Sequence, residues 1–522
     1  MPETRLGAAR LAWLLGLAVL TLGIGLGRAG RLTYHEAFVA QAAREMVAGG
    51  GVLVPKIDGK PWLEKPPLAI WLVALTARAT GGAVTETVAR APSAVAAALL
   101  VLTVASLAAR WFGPTVGLLA GLVQATTAWT VLRGRLAESD MLLACILTGT
   151  VVAFDRMRSG KENSAAWRWA FFGGLGLTAL AKGIGFGAVL LAAVLVLVLL
   201  WDRDLATFRR LRFAPGWALA GALALTWPVL VVWRHPAALS LWTLHVAGRF
   251  AARPEHFASG PWWQYGPALL GQVLPWTPLA LAGAARSLAR AVRRRDGGDR
   301  LLWAWAVGPV LLLSLATIKN AHYIIYALPP WSVWAALGLV GLGDRLRARG
   351  AAPERLRRLA RAGFGGLGLA IAAGFAVLGP GLDRRGAEWA FYEAAGRRVP
   401  PGEPIALLYD DWDRLPYPTP FGPVPHDLAV RLYYLNRPAA WRPGPEALAA
   451  SPPAPGPAPF AVIGRERDLP ALRRLGAVEA LARGPRLRAD FSKVDDRTFV
   501  LYRVVPGGGL LAKTNTDLNA AR

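Results

Sequence analysis

Long apolar runs recur along most of this chain, and they constrain its fold more than any other feature. Runs such as 187–200 have no polar face that could meet water. A helix that is apolar all round is buried in lipid or in a very large core. Since 54% of the 522 residues are hydrophobic and only 18% are charged, while a soluble domain carries about 25% charged residues, we predict a polytopic all-α membrane protein.

The net charge of +26 would suit a nucleic-acid-binding protein, but the positions of the arginines indicate another role. They cluster in short loops between apolar runs, as in 203–212, 286–300 and 345–361. This positive-inside pattern is typical of cytoplasmic loops, which are attracted to anionic lipid heads. We therefore predict membrane lipids, and no nucleic acid, among the partners.

The basic loops also set the predicted topology. With these loops in the cytoplasm, four loops lie on the opposite, external face, together with everything after residue 381. The external loops are 31–66, 133–140, 234–263 and 318–323. The short run at 67–80 breaks the alternation and is interpreted as re-entrant or partly inserted. We expect about 11–13 transmembrane helices of roughly 20 residues each in a bacterial inner membrane.

The sequence changes character at residue 381, where Pro and Gly become frequent and the hydrophobic runs shorten to strand length. Strands are predicted at 405–409, 460–463 and 498–504, and helices at 427–435 and 468–475. We therefore predict a transmembrane domain over 1–380 and a small external α/β domain over 381–510. The polar tail 511–522 is expected to be disordered.

The first external loop carries ionisable side chains that suit phosphate binding and proton transfer. A transporter normally places polar residues inside the membrane, but here they gather at the external ends of the helices. His35 and Glu36 open a helical stretch, and Glu64 with Lys65 closes the loop. A lysine can neutralise a phosphate, and a carboxylate can take a proton from an acceptor hydroxyl. A loop fastened by surface ion pairs is the alternative interpretation.

The other external loops add ionisable and aromatic groups. In the second loop Arg133 and Arg135 precede Glu138 and Asp140. These groups form either a local salt-bridge network or a second acidic group that faces the first loop. The candidates in the third and fourth loops are Arg249, His256, Tyr265, Lys319, His322 and Tyr323. The short fourth loop, with a lysine and a histidine beside a tyrosine, suits a diphosphate or a phosphosugar.

Taken in order, these loop residues resemble the signature of the C-type membrane glycosyltransferases. The nearest group is the protein O-mannosyltransferase and aminoarabinose-lipid A transferase family. The first-loop matches are His35-Glu36, Ala42, Arg44-Glu45-Met46, Gly50, Pro55, Gly59, Pro61 and Glu64-Lys65-Pro66-Pro67-Leu68. The later matches are Arg135 with Ser139-Asp140-Met141-Leu142, then Ala181-Lys182-Gly183, then His256 with 260–265 and 274–276, and finally Lys319 with His322-Tyr323 and Leu328-Pro329.

The resemblance implies a reaction. In this family a sugar moves from a polyprenyl-phosphate carrier to a lipid, glycan or protein hydroxyl on the external face of the membrane. His35 occupies the position of the family's catalytic first-loop aspartate, and Glu36 matches the family's second acidic residue. Either side chain can serve as the base, since an imidazole titrates near neutrality, and loss of the usual chemistry is the third option. Glu36 is preferred, because a carboxylate is what the family normally uses.

The resemblance also implies a set of site residues. The predicted catalytic residues are Glu36, His35 and Asp140. The predicted donor-binding or phosphate-binding residues are Lys65, Glu64, Arg135, Lys319, His322, Tyr323, Arg249 and Tyr265. A divalent metal, which some family members bind, is the one cofactor left open, with His35, Asp140 and His256 as ligand types. The chain is expected to act as a monomer, and the competing interpretations are a lipid or lipid-linked sugar flippase and a non-catalytic relative.

Overall fold

In the computed structural model the chain divides into two units. The first comprises Met1–Ala29, Ala42–Pro55 and Pro61–Gly379, and the second comprises Gly30–Gln41, Lys56–Lys60 and Pro380–Arg522. The structure describes residues 6–28, 30–159, 164–243, 260–293, 297–316, 319–382, 386–408, 421, 427–454, 456–485 and 498–506.

The first unit is helical. The helices of the chain up to residue 373 are α1 (Ala8–Ala18), α2 (Tyr34–Val47), α3 (Leu68–Ala79), α4 (Glu86–Phe112), α5 (Pro114–Thr126), α6 (Ala128–Gly134), α7 (Ser139–Ser159), α8 (Ser164–Lys182), α9 (Phe186–Asp202), α10 (Leu205–Arg210), α11 (Ala214–Arg234), α12 (Tyr265–Gln272), α13 (Thr277–Arg293), α14 (Gly297–Leu315), α15 (Leu328–Ala348) and α16 (Pro353–Ala373). Residues 237–243 are also helical. Short π-helical turns at Val19–Gly23 and Gly374–Leu378 extend α1 and α16, and a 3₁₀ segment at Ala321–Ala327 precedes α15.

Many of these helices suit a membrane. Five described segments are long and apolar enough to cross one, and the number rises to seven if each of two bent pairs is one span. The five are α4, α11, Gly298–Leu315, Ala321–Ala348 and Pro353–Leu378. The bent pairs are α5 with α6, at 59°, and α12 with α13, at 112°. Helix α3 has 12 residues, so its length of about 18 Å is shorter than a hydrocarbon core of about 30 Å. The partial insertion of 67–80 stays a prediction.

Small residues let α13 and α15 approach closely. A methyl group added at Gly283 would lie 1.8 Å from the carbonyl oxygen of Trp334, and one added at Gly338 would lie 2.1 Å from that of Leu279. The two backbones are therefore in direct contact at these two points. Such packing through small residues is the usual way in which membrane helices associate, because lipid supplies no hydrophobic drive for it.

The ends of three helices meet at one end of the first unit. Asp202, the last residue of α9, accepts hydrogen bonds from Arg158 of α7 at 2.6 Å and from Arg300 of α14 at 2.7 Å. Arg210 of α10 donates to the carbonyl of Met157 at 2.6 Å. Asp202, Arg210 and Arg300 lie in or next to basic loops that were predicted to share a face. Asp140 lies at the opposite end of α7. The side of the membrane on which each end lies stays a prediction.

The second unit contains a five-stranded mixed sheet with the order β4-β3-β5-β7-β6. Its strands are β3 (Ile405–Leu408), β4 (Ala440–Arg442), β5 (Phe460–Arg465), β6 (Gly476–Arg483) and β7 (Phe499–Pro506), and its helices are α17 (Gly386–Arg398), α18 (Leu428–Leu435), α19 (Pro445–Ala450) and α20 (Leu469–Leu472). Strand β3 is parallel to β4 and β5, whereas β7 is antiparallel to β5 and β6. Two short strands, β1 (Lys56–Ile57) and β2 (Lys60–Pro61), pair earlier in the chain.

Buried side chains explain which strands the sequence predicts. The predicted strands at 405–409, 460–463 and 498–504 correspond to β3, β5 and β7. Apolar residues of these strands, among them Phe460, Val462 and Tyr502, form a common core. Strand β4 has three residues, and β6, at an edge of the sheet, has a single buried residue among its eight. These two strands were not predicted, because neither carries a run of β-branched or aromatic residues. The tail 511–522 lies outside the described residues.

Candidate active site

Asp140 is the centre of a buried polar cluster in the first unit. It lies in the first turn of α7, where a carboxylate is favoured by the helix dipole, and its side chain is almost fully buried. Arg133 Nη2, at the end of α6, lies 3.1 Å from its Oδ2, and Lys182 Nζ, on the last residue of α8, forms an ion pair with its Oδ1. The hydroxyl of Tyr326 donates to the same Oδ1 at 2.7 Å. Three separate elements therefore supply the partners of one carboxylate.

Arg133 and Lys182 also contact other members of the cluster. Arg133 pairs with Glu138, and Lys182 Nζ lies 3.1 Å from the hydroxyl of Tyr326. A buried ion pair is stable only when its remaining donors and acceptors are satisfied, and these additional contacts satisfy several of them. The network between arginine and carboxylates that was one interpretation of the second loop is present. Lys182 connects it to α8.

Aromatic rings surround the Lys182 ammonium. Its Nζ lies 4.2 Å from the ring centroid of Tyr323, 5.4 Å from that of Phe186 and 5.6 Å from that of Tyr326. The ring of His322 packs edge-on against Tyr323, with the ring centroids 4.5 Å apart. These distances fall within the usual range of cation–π contacts, which hold a cation without neutralising it.

His322 brings Lys65 into the same electrostatic environment. Asp140, Lys182, Arg133 and Lys65 all act electrostatically on the imidazole of His322. Lys65 is half-buried and immediately precedes the two prolines that lead into α3. Of the predicted site residues, the structure therefore groups Asp140, His322, Tyr323 and Lys65. Glu64 is half-buried next to Lys65.

The fourth loop is held by contacts with the ends of its neighbouring helices. Lys319 is buried, and its Nζ donates to the carbonyl of Ala316 at 2.6 Å, just beyond the end of α14. A lysine in this position neutralises the negative end of a helix dipole. Gln272 Nε2 donates to the carbonyl of Ala321 at 2.7 Å, and Tyr265, in the same helix as Gln272, is buried. These contacts fix the loop that carries His322 and Tyr323.

Arg135 points away from the Asp140 cluster. Its guanidinium donates to the carbonyl oxygens of Thr21 at 2.9 Å and Ile24 at 2.6 Å, at the end of the first helix. Its Cζ lies 4.1 Å from the ring centroid of Phe375. The final carbonyls of a helix have no partner within the helix, and Arg135 satisfies two of them. These contacts give Arg135 a structural task at the end of the first helix, and its contact with phosphate stays a prediction.

His35 and Glu36 belong to the second unit, in the first turn of α2. The amide of Thr33 donates to Oε2 of Glu36 at 2.9 Å, and the amide of Glu36 approaches Oγ1 of Thr33 at 3.3 Å. This reciprocal pair is a capping box, which satisfies donors at the start of a helix. Glu36 is fully buried, whereas His35 is exposed, with its ring centroid 4.0 Å from that of Tyr34.

The described residues do not assemble the metal site that the sequence left open. Among the parts of the chain that the structure describes, no group of three or more His, Cys, Asp and Glu side chains is placed to hold a metal ion. Asp140 is already occupied by two cations and a hydroxyl. Arg249 and His256 lie outside the described residues.

Sequence reasoning did not include Lys182, Arg133 and Tyr326 among the site residues. A signal for Lys182 was present, because Ala181-Lys182-Gly183 is one of the matches that carry the family resemblance. Gly183 has φ +113°, and Gly185 has φ +87°, so the chain leaves α8 through conformations that glycine favours. These glycines end α8 at Lys182, where the ammonium meets Asp140.

Comparisons with known proteins agree with the predicted resemblance. Residues 64–233 match the family described as dolichyl-phosphate-mannose-protein mannosyltransferase. The undecaprenyl phosphate-alpha-4-amino-4-deoxy-L-arabinose arabinosyl transferase of Edwardsiella ictaluri is 32% identical over 59% of this chain and 55% of its own length. The protein of the same name from Pseudomonas savastanoi pv. phaseolicola is 29% identical over 65% and 64%. The chain spans about half the length of the first of these relatives.

Solved structures share the fold. The crystal structure of ArnT from Cupriavidus metallidurans bound to undecaprenyl phosphate has a TM-score of 0.73 at 18% identity, and the match covers 95% of this chain and 97% of that one. The oligosaccharyltransferase of Archaeoglobus fulgidus in its apo form has a TM-score of 0.53 at 14% identity over 83% and 64%. The predicted fold, a helical membrane bundle followed by a small domain with a sheet, is confirmed, and it is the fold of these solved structures.

Proposed function

We propose that this chain is a membrane glycosyltransferase that moves a sugar from a polyprenyl-phosphate donor to an acceptor hydroxyl. The observation that carries the proposal is the Lys182 ammonium, held between the carboxylate of Asp140 and the ring of Tyr323. The match over residues 64–233 and the names of the curated relatives support the same reaction class.

Lys182 has the capacity to bind a phosphate oxygen. An ammonium has three N–H donors, and the described residues engage two of them, through Asp140 and the hydroxyl of Tyr326. With Arg133 and Lys65, Lys182 is one of three cations that act electrostatically on His322. Its remaining N–H donor can meet an anion, and a lysine contacts a phosphate as a point charge.

The chemistry of transfer explains why this charge is useful. The bond between the sugar carbon and the phosphate oxygen breaks as the acceptor oxygen attacks, and the carrier phosphate gains one negative charge. The acceptor hydroxyl gives its proton to a base. Fixed cations near the leaving phosphate lower the barrier, because their attraction increases as that charge develops. Lys182 and Lys65 are assigned this task, with Asp140 positioning Lys182.

His35 is the better candidate for the base on local geometry. The capping box engages the buried carboxylate of Glu36, whereas the imidazole of His35 is exposed. A neutral imidazole can accept a proton near physiological pH. This assignment reverses the order preferred from the sequence, where the usual chemistry of the family favoured Glu36. Both residues stay in the experimental comparison.

The relatives suggest which donor to test first. Their names specify 4-amino-4-deoxy-L-arabinose on undecaprenyl phosphate as the donor, and the resemblance suggests lipid A as the first acceptor. The C-terminal domain is assigned to the extracytoplasmic side of a bacterial inner membrane, because the basic loops are assigned to the cytoplasm.

A transfer assay tests this proposal. The purified protein in nanodiscs would be incubated with the aminoarabinose donor and lipid A, and the product followed by mass spectrometry. We expect aminoarabinosylated lipid A with the wild-type chain and a strongly reduced yield with Lys182→Gln. Translocation of the donor across liposomes without transfer to any acceptor, including protein and glycan hydroxyls, would favour the flippase instead.

A further inference from the structure

The second unit contains a piece of the first external loop as well as the C-terminal part of the chain. Residues Gly30–Gln41 group with Pro380–Arg522. This piece holds the first turn of α2, with His35 and Glu36, and the capping residue Thr33. Two helices of the second unit, α17 and α18, make specific contacts with it.

A bidentate ion pair connects the start of the piece to α17. Arg31 Nη1 lies 2.5 Å from Oε1 of Glu393, and Arg31 Nη2 lies 3.1 Å from Oε2. Both side chains are about 30% exposed. Two parallel hydrogen bonds between a planar guanidinium and a carboxylate set orientation as well as distance, so this pair fixes the direction from which the chain enters α2.

Tyr434 of α18 makes two further contacts with the same two residues. Its ring centroid lies 5.0 Å from Cζ of Arg31, and its hydroxyl accepts a hydrogen bond from the amide of Leu32 at 2.7 Å. Trp389 of α17 stacks on the Tyr434 ring at 5.7 Å, with the planes 17° apart. Leu32 and Tyr434 are both buried. The tyrosine is thus fixed on one side by the domain and holds Arg31 and Leu32 on the other.

These contacts lie immediately before the predicted catalytic turn. Leu32 adjoins Thr33, whose amide and hydroxyl form the capping box with Glu36, and His35 lies between them in sequence. A main-chain hydrogen bond at Leu32 therefore limits the movement of the first turn of α2. A displacement of about 1 Å at a reacting group can lower a rate by about a hundredfold.

We propose that the C-terminal domain positions the catalytic turn, with Arg31, Glu393 and Tyr434 as positioning residues for His35 and Glu36. The inference rests on the proposed function, since it assumes that this turn supplies the base. It assigns the domain a direct part in turnover, in addition to its own folding. None of the three side chains needs to contact a substrate for this effect.

Two nearly isosteric variants test the proposal. Tyr434→Phe removes only the hydroxyl that accepts from Leu32, and Glu393→Gln removes only the charge that meets Arg31. Neither changes side-chain volume appreciably, so both chains are expected to fold. We expect kcat to fall about ten- to a hundredfold, with donor affinity within about twofold of wild type. This split between kcat and binding is not expected from general destabilisation.

A charge exchange provides the rescue. Arg31→Glu and Glu393→Arg should each lower kcat, and the double variant should recover a large part of it, because the pair can form again with its ends reversed. The matched control is Glu403→Gln, which breaks another ion pair of the domain, between Glu403 and Arg503 at 2.9 Å. This control should lower the midpoint of thermal unfolding and leave kcat unchanged.

The outcomes separate this inference from the proposed function. If wild type transfers sugar and Lys182→Gln does not, but Tyr434→Phe and Glu393→Gln keep wild-type kcat, the positioning role is wrong and the function stands. If Glu403→Gln lowers kcat as strongly as Glu393→Gln, or the exchanged pair recovers nothing, the positioning role is also wrong. If the wild-type chain transfers no sugar from any donor, the proposed function is wrong, and the positioning role is wrong with it.

Discussion

The hydroxyl of Tyr326 donates a 2.7 Å hydrogen bond to Oδ1 of Asp140, a residue 186 positions earlier in the chain. The bond joins the first turn of α7 to the 3₁₀ segment that precedes α15. Trp305 of α14 supports this segment by donating to the carbonyl of Tyr326 at 2.9 Å. The carboxylate that anchors Lys182 is therefore fixed by a distant part of the bundle.

Removing this hydroxyl should weaken the cluster without abolishing it. In Tyr326→Phe, Asp140 keeps its ion pairs with Lys182 and Arg133 but loses one hydrogen bond, which costs about 0.5–1.5 kcal/mol. We expect donor affinity to fall by about two- to tenfold, since about 1.4 kcal/mol is a factor of ten in affinity. Titration with undecaprenyl phosphate measures the change. The matched control is Tyr502→Phe, on a buried tyrosine of the C-terminal sheet, and equal donor affinities for the two variants would contradict the assignment.

Removing the charge of Lys182 should have a larger effect. Lys182→Gln keeps a donor for Asp140 and Tyr326 but removes the ammonium. A charge-assisted contact with phosphate contributes about 1.5–3 kcal/mol, so donor binding should weaken at least tenfold, measured by the same titration. Lys60→Ala, at an exposed lysine of β2, serves as the control and should bind the donor normally. Unchanged affinity in Lys182→Gln would remove this lysine from the donor site.

The sequence predicts Asp140 as a site residue, but its partners depend on packing. Arg133 and Arg135 are two positions apart, and only the packing of α6 decides that Arg133 meets Asp140 while Arg135 meets Thr21 and Ile24. Lys182 is 42 positions from Asp140, and the sequence around either residue does not indicate that the two side chains meet. Residue type and order could therefore predict a site, and the tertiary contacts select its members.

The fold was more accessible from the sequence, because apolar runs report burial directly. Asp202 meets Arg158 and Arg300 at one end of the first unit, and the side of the membrane on which this end lies stays a prediction from loop charge. The grouping of 30–41 with the C-terminal part could not be inferred in this way, since it depends on single contacts such as that of Leu32 with Tyr434. Such contacts leave no periodic pattern.

The close approach of α13 and α15 gives a prediction on stability. In Gly283→Ala the new methyl group would meet the carbonyl of Trp334, and relief requires the helices to separate. Overpacking of this kind costs about 1–3 kcal/mol, so the midpoint of thermal unfolding in detergent should fall. Gly343→Ala in α15 is the control, because nothing lies within 4 Å of its added methyl group. A similar melting temperature for both variants would show that the helices are not packed as described.

The assignment of the two faces can be tested by labelling single cysteines. Cys145 is the only cysteine of the chain, so Cys145→Ser provides a background without thiols. A cysteine at exposed Ser451, in the C-terminal domain, should react with a membrane-impermeant maleimide in intact spheroplasts. A cysteine at exposed Arg209, in a basic loop, should react only after the membrane is opened. The reverse pattern would invert the proposed topology.

The roles of His35 and Glu36 can be separated by their different effects on stability and rate. Thr33→Ala removes the hydroxyl of the capping box, so it should lower stability by about 1 kcal/mol and lower the transfer rate in part, because the first turn of α2 is less firmly held. Glu36→Gln keeps an acceptor for the amide of Thr33, so it should leave stability and most of the transfer rate intact. His35→Ala should abolish transfer while leaving thermal stability and donor affinity near those of wild type. If the Glu36→Gln variant is inactive and the His35→Ala variant is active, Glu36 is the base.

The pH dependence of the rate distinguishes the two bases independently. A base must be unprotonated to accept the acceptor proton, so with an imidazole base the rate should fall as pH drops through its ordinary pKa of about 6.5. His35→Asp places a carboxylate with an ordinary pKa of about 3.9 at the same position, and any activity it retains should be independent of pH around neutrality. A wild-type rate that does not change between about pH 5 and pH 8, a range that includes the imidazole pKa, would exclude His35 as the base, because the protonated fraction of an imidazole changes greatly over that interval.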